Sequence, residues 1–401
     1  MAPIRVALIG LSSPSSPQAT TGWAASAHLP YLLSPRGRAR YQIVGLLNSS
    51  VAAAEAAIKA YNLDADPNLN HHGVVRAYAS PADLAADPEV DLVVCATRVD
   101  KHYATVIESL REGKDGFVEW PLAGDPERGR ELAEEVRKHG GRSKGVVGLQ
   151  GLKAPVVAVV RRLLAEGRIG RVVSSELRAF GGLGDRESLP VGWEYMTQRE
   201  VGGNMVTIAF AHLFDMALSA LGELKPGSLK GDLHLQRPEN PLKDPTGAVV
   251  RTVRSDVPDL VFVAGKWQES DITQENATLH LRLRRGQPFP GDPCVVWTIN
   301  GEKGEIRIVS QDMAFIQLGP PGESHVIEVH DFETDKVEKV EAAWADWQKE
   351  LPFLARGVGA LYEAIADARN KGTREDYVNF DTAVKRLETV HGLLEEWVHA
   401  Q

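Results

Sequence analysis

The sequence predicts an α/β protein: an N-terminal Rossmann domain on a doubly wound parallel sheet, then an α+β domain with an open, mainly antiparallel sheet. Three observations predict it. In the first third, short β-branched runs alternate with helical patterns, as βαβ units do. Beyond about residue 170, strand patterns follow one another with turn residues between them, which is how an antiparallel sheet reads. The chain of 401 residues, at about 150 per domain, has room for two such bodies. The expected division is an NAD(P)-binding domain over 1–150. A substrate and oligomerisation domain is expected over 151–401, its C-terminal helices packing back.

Taken in order, Ile4 to Gly10 reads as a fully buried parallel strand, and Trp23 to Leu33 as a helix. Tyr41 to Leu47 is a second strand, followed by an alanine-rich helix from Val51 to about Tyr61. A short helix near Pro81 to Ala86 precedes a strand at Asp91 to Ala96. A helix from about His102 to Arg111 stops at Gly113. Gly116 to Glu119 is a strand, Pro126 to His139 an amphipathic helix, and Gly145 to Leu149 closes the set. A helix at about Pro155 to Glu166 leads to strands at Val172–Phe180, Leu260–Gly265, Ala277–Leu283, Cys294–Ile299 and Glu305–Val309. One helix interrupts them, from about Gly202 to Leu221, and the tail from Ala342 is helical, with Val384, Leu387, Val390, His391 and Leu394 at helical spacing.

Composition narrows the function. With 43% hydrophobic and 25% charged residues the chain is an ordinary globular one. Lys+Arg 45 against Asp+Glu 54 gives a net charge of −9 with no basic block, so direct nucleic-acid binding is not expected. The two cysteines, Cys95 and Cys294, lie among apolar neighbours and form no metal-type pair. No metal is expected. No uncharged run reaches the length of a membrane span, and no leader pattern opens the chain. The expectation is a cytoplasmic or nucleocytoplasmic protein in a reducing compartment.

The loop after the first strand is where a dinucleotide would bind. Glycines there allow a tight turn and close approach of the pyrophosphate, and a small residue lets the helix pack on the strand. Gly10 supplies the first glycine, but Ser12 stands where the second would follow, and a Ser/Pro/Gln/Thr stretch runs to Thr21. Gly22-Trp23-Ala24-Ala25 then supplies a glycine with a small residue three positions on. The segment reads as one interrupted fingerprint, with Gly10, Ser12, Gly22, Trp23 and Ala25 toward the cofactor. An ordinary strand–loop–helix connection fits the same residues. At the end of the second strand an NAD site places an acid on the ribose. Asn48 and Ser49 stand there instead, which tips the expectation toward NADP over NAD. A polar strand-end turn is the plain alternative.

Several further segments together resemble the glucose–fructose oxidoreductase/inositol dehydrogenase (Gfo/Idh/MocA) family. They are Ala96-Thr97-Arg98-Val99-Asp100-Lys101-His102, Gly116-Phe117-Val118-Glu119-Trp120-Pro121, Ala165-Glu166-Gly167-Arg168-Ile169-Gly170 and Gly202-Gly203-Asn204 with His212-Leu213-Phe214-Asp215. The resemblance runs through nearly the whole chain in order. It implies a contact of Glu119 with the nicotinamide end of the cofactor, a catalytic histidine at His212, and a homodimer or higher homo-oligomer. Thr97 and Arg98 follow the Asp91–Ala96 strand on the edge where open α/β sheets bind ligands, and with His102 and Trp120 they are the further expected cofactor contacts, although the family usually has proline where Arg98 stands. The chain also departs from the family pattern. Where the family carries Glu-Lys-Pro, Trp120 replaces the lysine, and an indole N–H donates but does not exchange a proton near neutral pH. Ile208 stands where the family has an aspartate four residues before His212.

Two readings follow. In one the protein is an NAD(P)-binding oxidoreductase acting on a sugar, polyol or similar hydroxy or carbonyl compound. His212 is then the general acid/base, with Lys153 or Tyr195 orienting the substrate. In the other it is a catalytically silent NAD(P)-dependent transcriptional regulator with a protein partner and a small-molecule signal. A histidine packed on a mostly apolar helix is the plain reading of His212.

Overall fold

The structure is a computed structural model, and it describes residues 2–14, 22–65, 74–141, 143–181, 185–318, 325–372 and 375–400. Most of the Ser/Pro insert, residues 15–21, lies outside the described residues. The chain divides into two compact units. One comprises Met1–Gln150 and Asp346–Glu388, the other Gly151–Ala345 and Thr389–Gln401.

In the first unit six parallel strands form one sheet in the order β3-β2-β1-β4-β5-β6. They are β1 (Ile4–Ile9), β2 (Tyr41–Leu47), β3 (Arg76–Ala77), β4 (Leu92–Cys95), β5 (Asp115–Val118) and β6 (Gly145–Val147). Helices connect them: a π-helical turn over Ala24–His28 running into α1 (Leu29–Leu33), then α2 (Pro35–Arg38), α3 (Val51–Ala60), α4 (Pro81–Ala86), α5 (Val99–Arg111) and α6 (Pro126–Lys138). Local chemistry sets their starts. The Ser50, Ser80 and Asp125 side chains accept from Ala53 N–H, Asp83 N–H and Arg128 N–H, and proline occupies the first turn of α4 and α6. β5 begins at Asp115 and ends before Glu119, one residue earlier at each end than the pattern suggested.

The second unit opens with α7 (Pro155–Ala165) and contains α8 (Ala211–Leu221), which continues a π-helical turn over Met205–Phe210. This helix starts later than Gly202 because Asn204 caps it: its Oδ1 accepts from the N–H groups of Val206 and Thr207, while the Thr207 hydroxyl accepts from Asn204 N–H. An eight-stranded sheet runs β17-β16-β15-β14-β7-β13-β12-β9, with only the β7–β13 pair parallel. Its strands are β7 (Val172–Gly181), β9 (Lys230–His234), β12 (Leu260–Lys266), β13 (Thr273–Arg285), β14 (Val295–Gly301), β15 (Gly304–Ser310), β16 (His325–Asp331) and β17 (Lys336–Val340). Alternation is strict in its centre. Leu177, Val263, Leu281 and Trp297 are buried, while Glu176, Arg178, Phe262 and His280 stand on the open face. A separate three-stranded sheet, β8 (Leu189–Pro190) beside β10 (Glu239–Lys243) and β11 (Val249–Arg254), was not foreseen. β11 is exposed along most of its length and so carries no apolar alternation.

The chain then returns to the first unit with α9 (Asp346–Lys349), α10 (Phe353–Lys371) and the start of α11 (Phe380–His399). Val378 C=O accepts from Val147 N–H, extending β6 by one backbone bond. At the amino edge of the sheet Arg369 of α10 donates to Asp115 at 2.7 Å and Asp91 at 3.2 Å, and Arg5 donates to Asp91 as well. Burial pushes the Asp115 carboxyl above its usual range. Replacing Arg369 by Met leaves that buried carboxylate without its cation. The expected loss is about 1–3 kcal/mol of unfolding free energy at neutral pH, measured by urea denaturation. The loss should shrink as pH falls and Asp115 takes up a proton, because a group whose folded pKa is raised gives up stability as pH rises.

Candidate functional site

The carboxyl ends of β1, β2, β4 and β5 gather the residues that the sequence marked. Gly10 ends β1 with φ +95°, a left-handed conformation that glycine adopts at little cost. A Cβ there would stand 2.7 Å from Thr97 Cγ2 and 3.0 Å from Ala96 O. So Gly10 and Thr97 are neighbours across the edge, and only a glycine lets the first loop pass so close. Ser12 accepts on its backbone oxygen from the Tyr61 hydroxyl, 3.0 Å away. At the end of β2 the Asn48 amide donates to Leu11 O at 2.8 Å and Ala53 O at 3.2 Å. Its Oδ1 is buried with no donor among the described residues. Ser49 beside it is exposed.

Across the loop Gly22, Trp23 and Ala25 are partly exposed at the start of the π-helical turn. The Trp23 indole N–H is buried and meets no acceptor among the described residues. An orphaned donor, an orphaned acceptor and a glycine cradle at one sheet edge fit a dinucleotide, whose phosphates and ribose hydroxyls supply the missing partners.

The residues after β4 are used locally. Arg98 is exposed and grips Asp100 through two bonds, 2.6 and 2.8 Å. His102 is buried, with Nδ1 2.9 Å from Pro121 O and Nε2 3.0 Å from Thr97 O, so it ties the loop after β4 to the loop after β5. Burial holds its pKa below the ordinary histidine value. Glu119 follows β5 directly, its N–H donating to Cys95 O, and Trp120 next to it is buried.

Sequence reasoning missed the partners of Glu119. His28, fully buried at the end of the π-helical turn, places Nε2 2.8 Å from Glu119 Oε1 and Nδ1 2.9 Å from the Tyr362 hydroxyl. Gly148 lies against the carboxylate, and a Cβ on it would sit 2.3 Å from Glu119 Oε2. Nothing in one sequence ties residue 28 to 119 and 362.

In the second unit, Lys153 ends the short helix Gln150–Lys153, Tyr195 lies in the helical turn Val191–Thr197, and His212 is the second residue of α8. All three are partly exposed. Along Met205–Leu218 every residue is buried except Ile208 and His212. The helix therefore opens at the two positions where the family pattern sets its aspartate and histidine. Glu194, beside Tyr195, pairs with Arg251 of β11. Among the described residues no helix is long and apolar enough to cross a membrane.

A Rossmann sheet with a glycine-turned first loop, followed by an α+β unit that carries a partly open histidine helix, is an NAD-binding oxidoreductase-like architecture. Residues 4–144 match the family model described as "Oxidoreductase family, NAD-binding Rossmann fold", and residues 155–310 match that of the Gal80p C-terminal domain. The chain is thus Gfo/Idh/MocA-like over its first unit and Gal80p-like over most of its second. It is similar to the dehydrogenase aclE of Aspergillus oryzae, 27% identical over 98% of this chain and 95% of that protein. It is also similar to the galactose/lactose metabolism regulatory protein GAL80 of Saccharomyces cerevisiae, 25% identical over 79% of this chain and 69% of that protein. A super-repressor mutant of Gal80p from S. cerevisiae has the same fold, with a TM-score of 0.82 at 20% identity, covering 100% of this chain and 97% of that one.

Gly10→Ala should lower stability by about 1–3 kcal/mol, since the substitution combines a left-handed backbone with contact against Thr97. A urea midpoint equal to that of the unaltered protein would show that the β1 loop does not pass as close to Thr97 as described.

Proposed function

We propose that the protein binds NAD at the carboxyl edge of the first unit's sheet and oxidises or reduces a small hydroxy or carbonyl compound, a sugar or polyol, with His212 as the general acid/base. The observation that carries this reading is that the stretch Met205–Leu218 is buried except at Ile208 and His212, in a chain similar over its length to a dehydrogenase. Gly10, Ser12, Gly22, Trp23 and Ala25 would hold the pyrophosphate, Asn48 and Ser49 the adenosine ribose, and Thr97, Glu119 and Trp120 the nicotinamide half. Arg98 and His102 would shape the loop between them. When bound, the nicotinamide accepts or returns a hydride. His212 takes the proton of the substrate hydroxyl as the carbon is oxidised, and gives it back in reduction. An imidazole suits this task because its ordinary pKa lies near working pH. Lys153 and Tyr195 orient the substrate oxygen by donating hydrogen bonds.

Asn48 bears on the choice of cofactor. Its NH2 is committed to two backbone carbonyls, which leaves an acceptor oxygen for the ribose. A hydroxyl can donate to that oxygen, whereas a 2′-phosphate meets it as a second acceptor. This supports NAD over NADP.

A second reading has a specific observation in its favour. Trp120 fills the lysine position with a buried ring, and the Gal80p C-terminal model matches the second unit. In that reading NAD is a signal and the output is affinity for a protein partner. Under either reading the open face of the eight-stranded sheet suits a second copy of the chain. It carries exposed Phe262 and a shallow groove of about 680 Å³ lined by Arg178, His280 and Arg282 among others.

Calorimetry should register NAD or NADH binding, with NADP at least about tenfold weaker. Absorbance at 340 nm should change when the protein and NAD meet a panel of polyols and sugars, and His212→Ala should reduce the rate by about 10²–10⁴-fold. Binding without turnover across the panel, together with a partner affinity that responds to NAD, would decide for the regulator.

A further inference from the structure

His28 has a chemistry that none of the assignments above uses. It is fully buried, yet both ring nitrogens are engaged, one by a carboxylate and one by a phenol. A carboxylate only accepts, so Nε2 carries the proton that it gives to Glu119; in the neutral ring Nδ1 then accepts from the Tyr362 hydroxyl. That hydroxyl keeps its proton, because burial pushes the phenol well above its ordinary pKa. The result is a directed chain, Tyr362 to His28 to Glu119. Tyr362 is itself wedged among rings: Tyr31 stacks on it at 5.2 Å between centroids, and Tyr41 and Phe117 pack edge-on or tilted at 5.1 and 5.3 Å.

The far end of the chain is equally confined. Glu119 Oε2 occupies the space that a Cβ at position 148 would need, and the carboxylate side chain keeps a tenth of its surface open. In a sheet of order 3-2-1-4-5-6 the adenosine half of a dinucleotide lies over β1–β3 and the nicotinamide half over β4–β6. Glu119, at the end of β5, stands on the nicotinamide side. The adjacent position 120 is tryptophan, so the loop brings no lysine to offset the carboxylate. The groups facing His28 are Glu119 from the end of β5, Tyr362 from α10 and the Phe117 ring from β5.

We propose that His28 is a positioning residue that holds the Glu119 carboxylate beside the nicotinamide ring, so that the cleft favours the oxidised dinucleotide, whose nicotinamide ring is cationic, over the reduced one, whose ring is neutral. This rests on the NAD-binding reading above. A fixed negative charge near a cationic ring, in a site of reduced dielectric, discriminates between two ligands that differ by that ring charge. Without its donor the carboxylate is no longer held in register with the ring.

The test is the ratio of NAD⁺ to NADH dissociation constants, read by calorimetry on the full chain. Glu119→Gln keeps the shape and an oxygen to accept from His28 but removes the charge. It should weaken NAD⁺ by about tenfold and leave NADH within about threefold. His28→Leu should move the ratio in the same direction, and His28→Gln, whose amide can donate to Glu119, should restore at least part of it. The double variant His28→Leu with Glu119→Gln should shift the ratio no further than Glu119→Gln alone. If Glu119→Gln keeps the unaltered ratio, or if His28→Leu weakens both forms equally, the proposal is overturned while the NAD reading stands. An unaltered protein that binds neither form overturns the NAD reading, and this one with it. Should His28→Leu fail to fold, Glu119→Gln and His28→Gln still decide the matter.

Discussion

The carboxyl edge of the first unit depends on one packing event: α10 returns from the far end of the chain and seats Tyr362 among Tyr31, Tyr41 and Phe117. Aromatic pairs of this kind add about 0.5–1.5 kcal/mol each beyond the area they bury, and here one ring meets three others, with the His28 ring edge-on as a fourth. The Tyr41 hydroxyl donates to the Tyr362 backbone oxygen, and Tyr31 donates to the next residue's carboxylate, Glu363, at 2.7 Å. Arg36 and Arg40 clamp the same carboxylate, and further along α10 Arg369 pairs with Asp115 at the amino edge of the sheet. A Rossmann sheet of six strands is thus completed by a helix more than 200 residues downstream of β6, as Val147 and Phe353 mark. His28 and Glu119 inherit their geometry from that seat.

What the sequence could reveal follows from how local each signal is. Parallel strands buried on both faces read as short apolar runs, and β1, β2 and β4 were legible for that reason. β7, β12 and β14 were legible through alternation, since one face of their sheet is covered and the other open. β8, β10 and β11 were not, because Pro190 and Pro241 interrupt the short strands and β11 has no covered face to impose a period. The same distinction divides the candidate site. Gly10, Asn48 and Glu119 sit at strand ends, where the fold class itself says that ligands bind. His28 lies inside a helix, and its meaning comes from contacts 91 and 334 residues away, which no spacing within one chain encodes.

Both helices that carry a histidine of interest begin with a π-helical turn, Ala24–His28 before α1 and Met205–Phe210 before α8. Such a turn adds a residue to the winding and rotates everything after it relative to an ordinary helix. Near His212 the consequence bears on the family pattern. Four residues separate Ile208 from His212, and the two are the positions left open along that stretch. The face that would present an aspartate and a histidine together is kept, while the aspartate itself is not.

The replacements at 120 and 208 act in the same chemical direction. Each removes a group able to carry a proton or a charge and leaves an indole or an aliphatic side chain. On the oxidoreductase reading proposed above, His212 would move the proton without a second positioned group beside it. In the first unit the consequence is different. A lysine beside Glu119 would offset its charge at short range. With tryptophan there, the hydrogen bond from His28 answers that carboxylate from within the protein, and on the proposal above the cationic nicotinamide ring would answer it from the cleft. The loss of a lysine thus places greater weight on how tightly the carboxylate is held, and the absence of a side chain at Gly148 lets it be held that tightly.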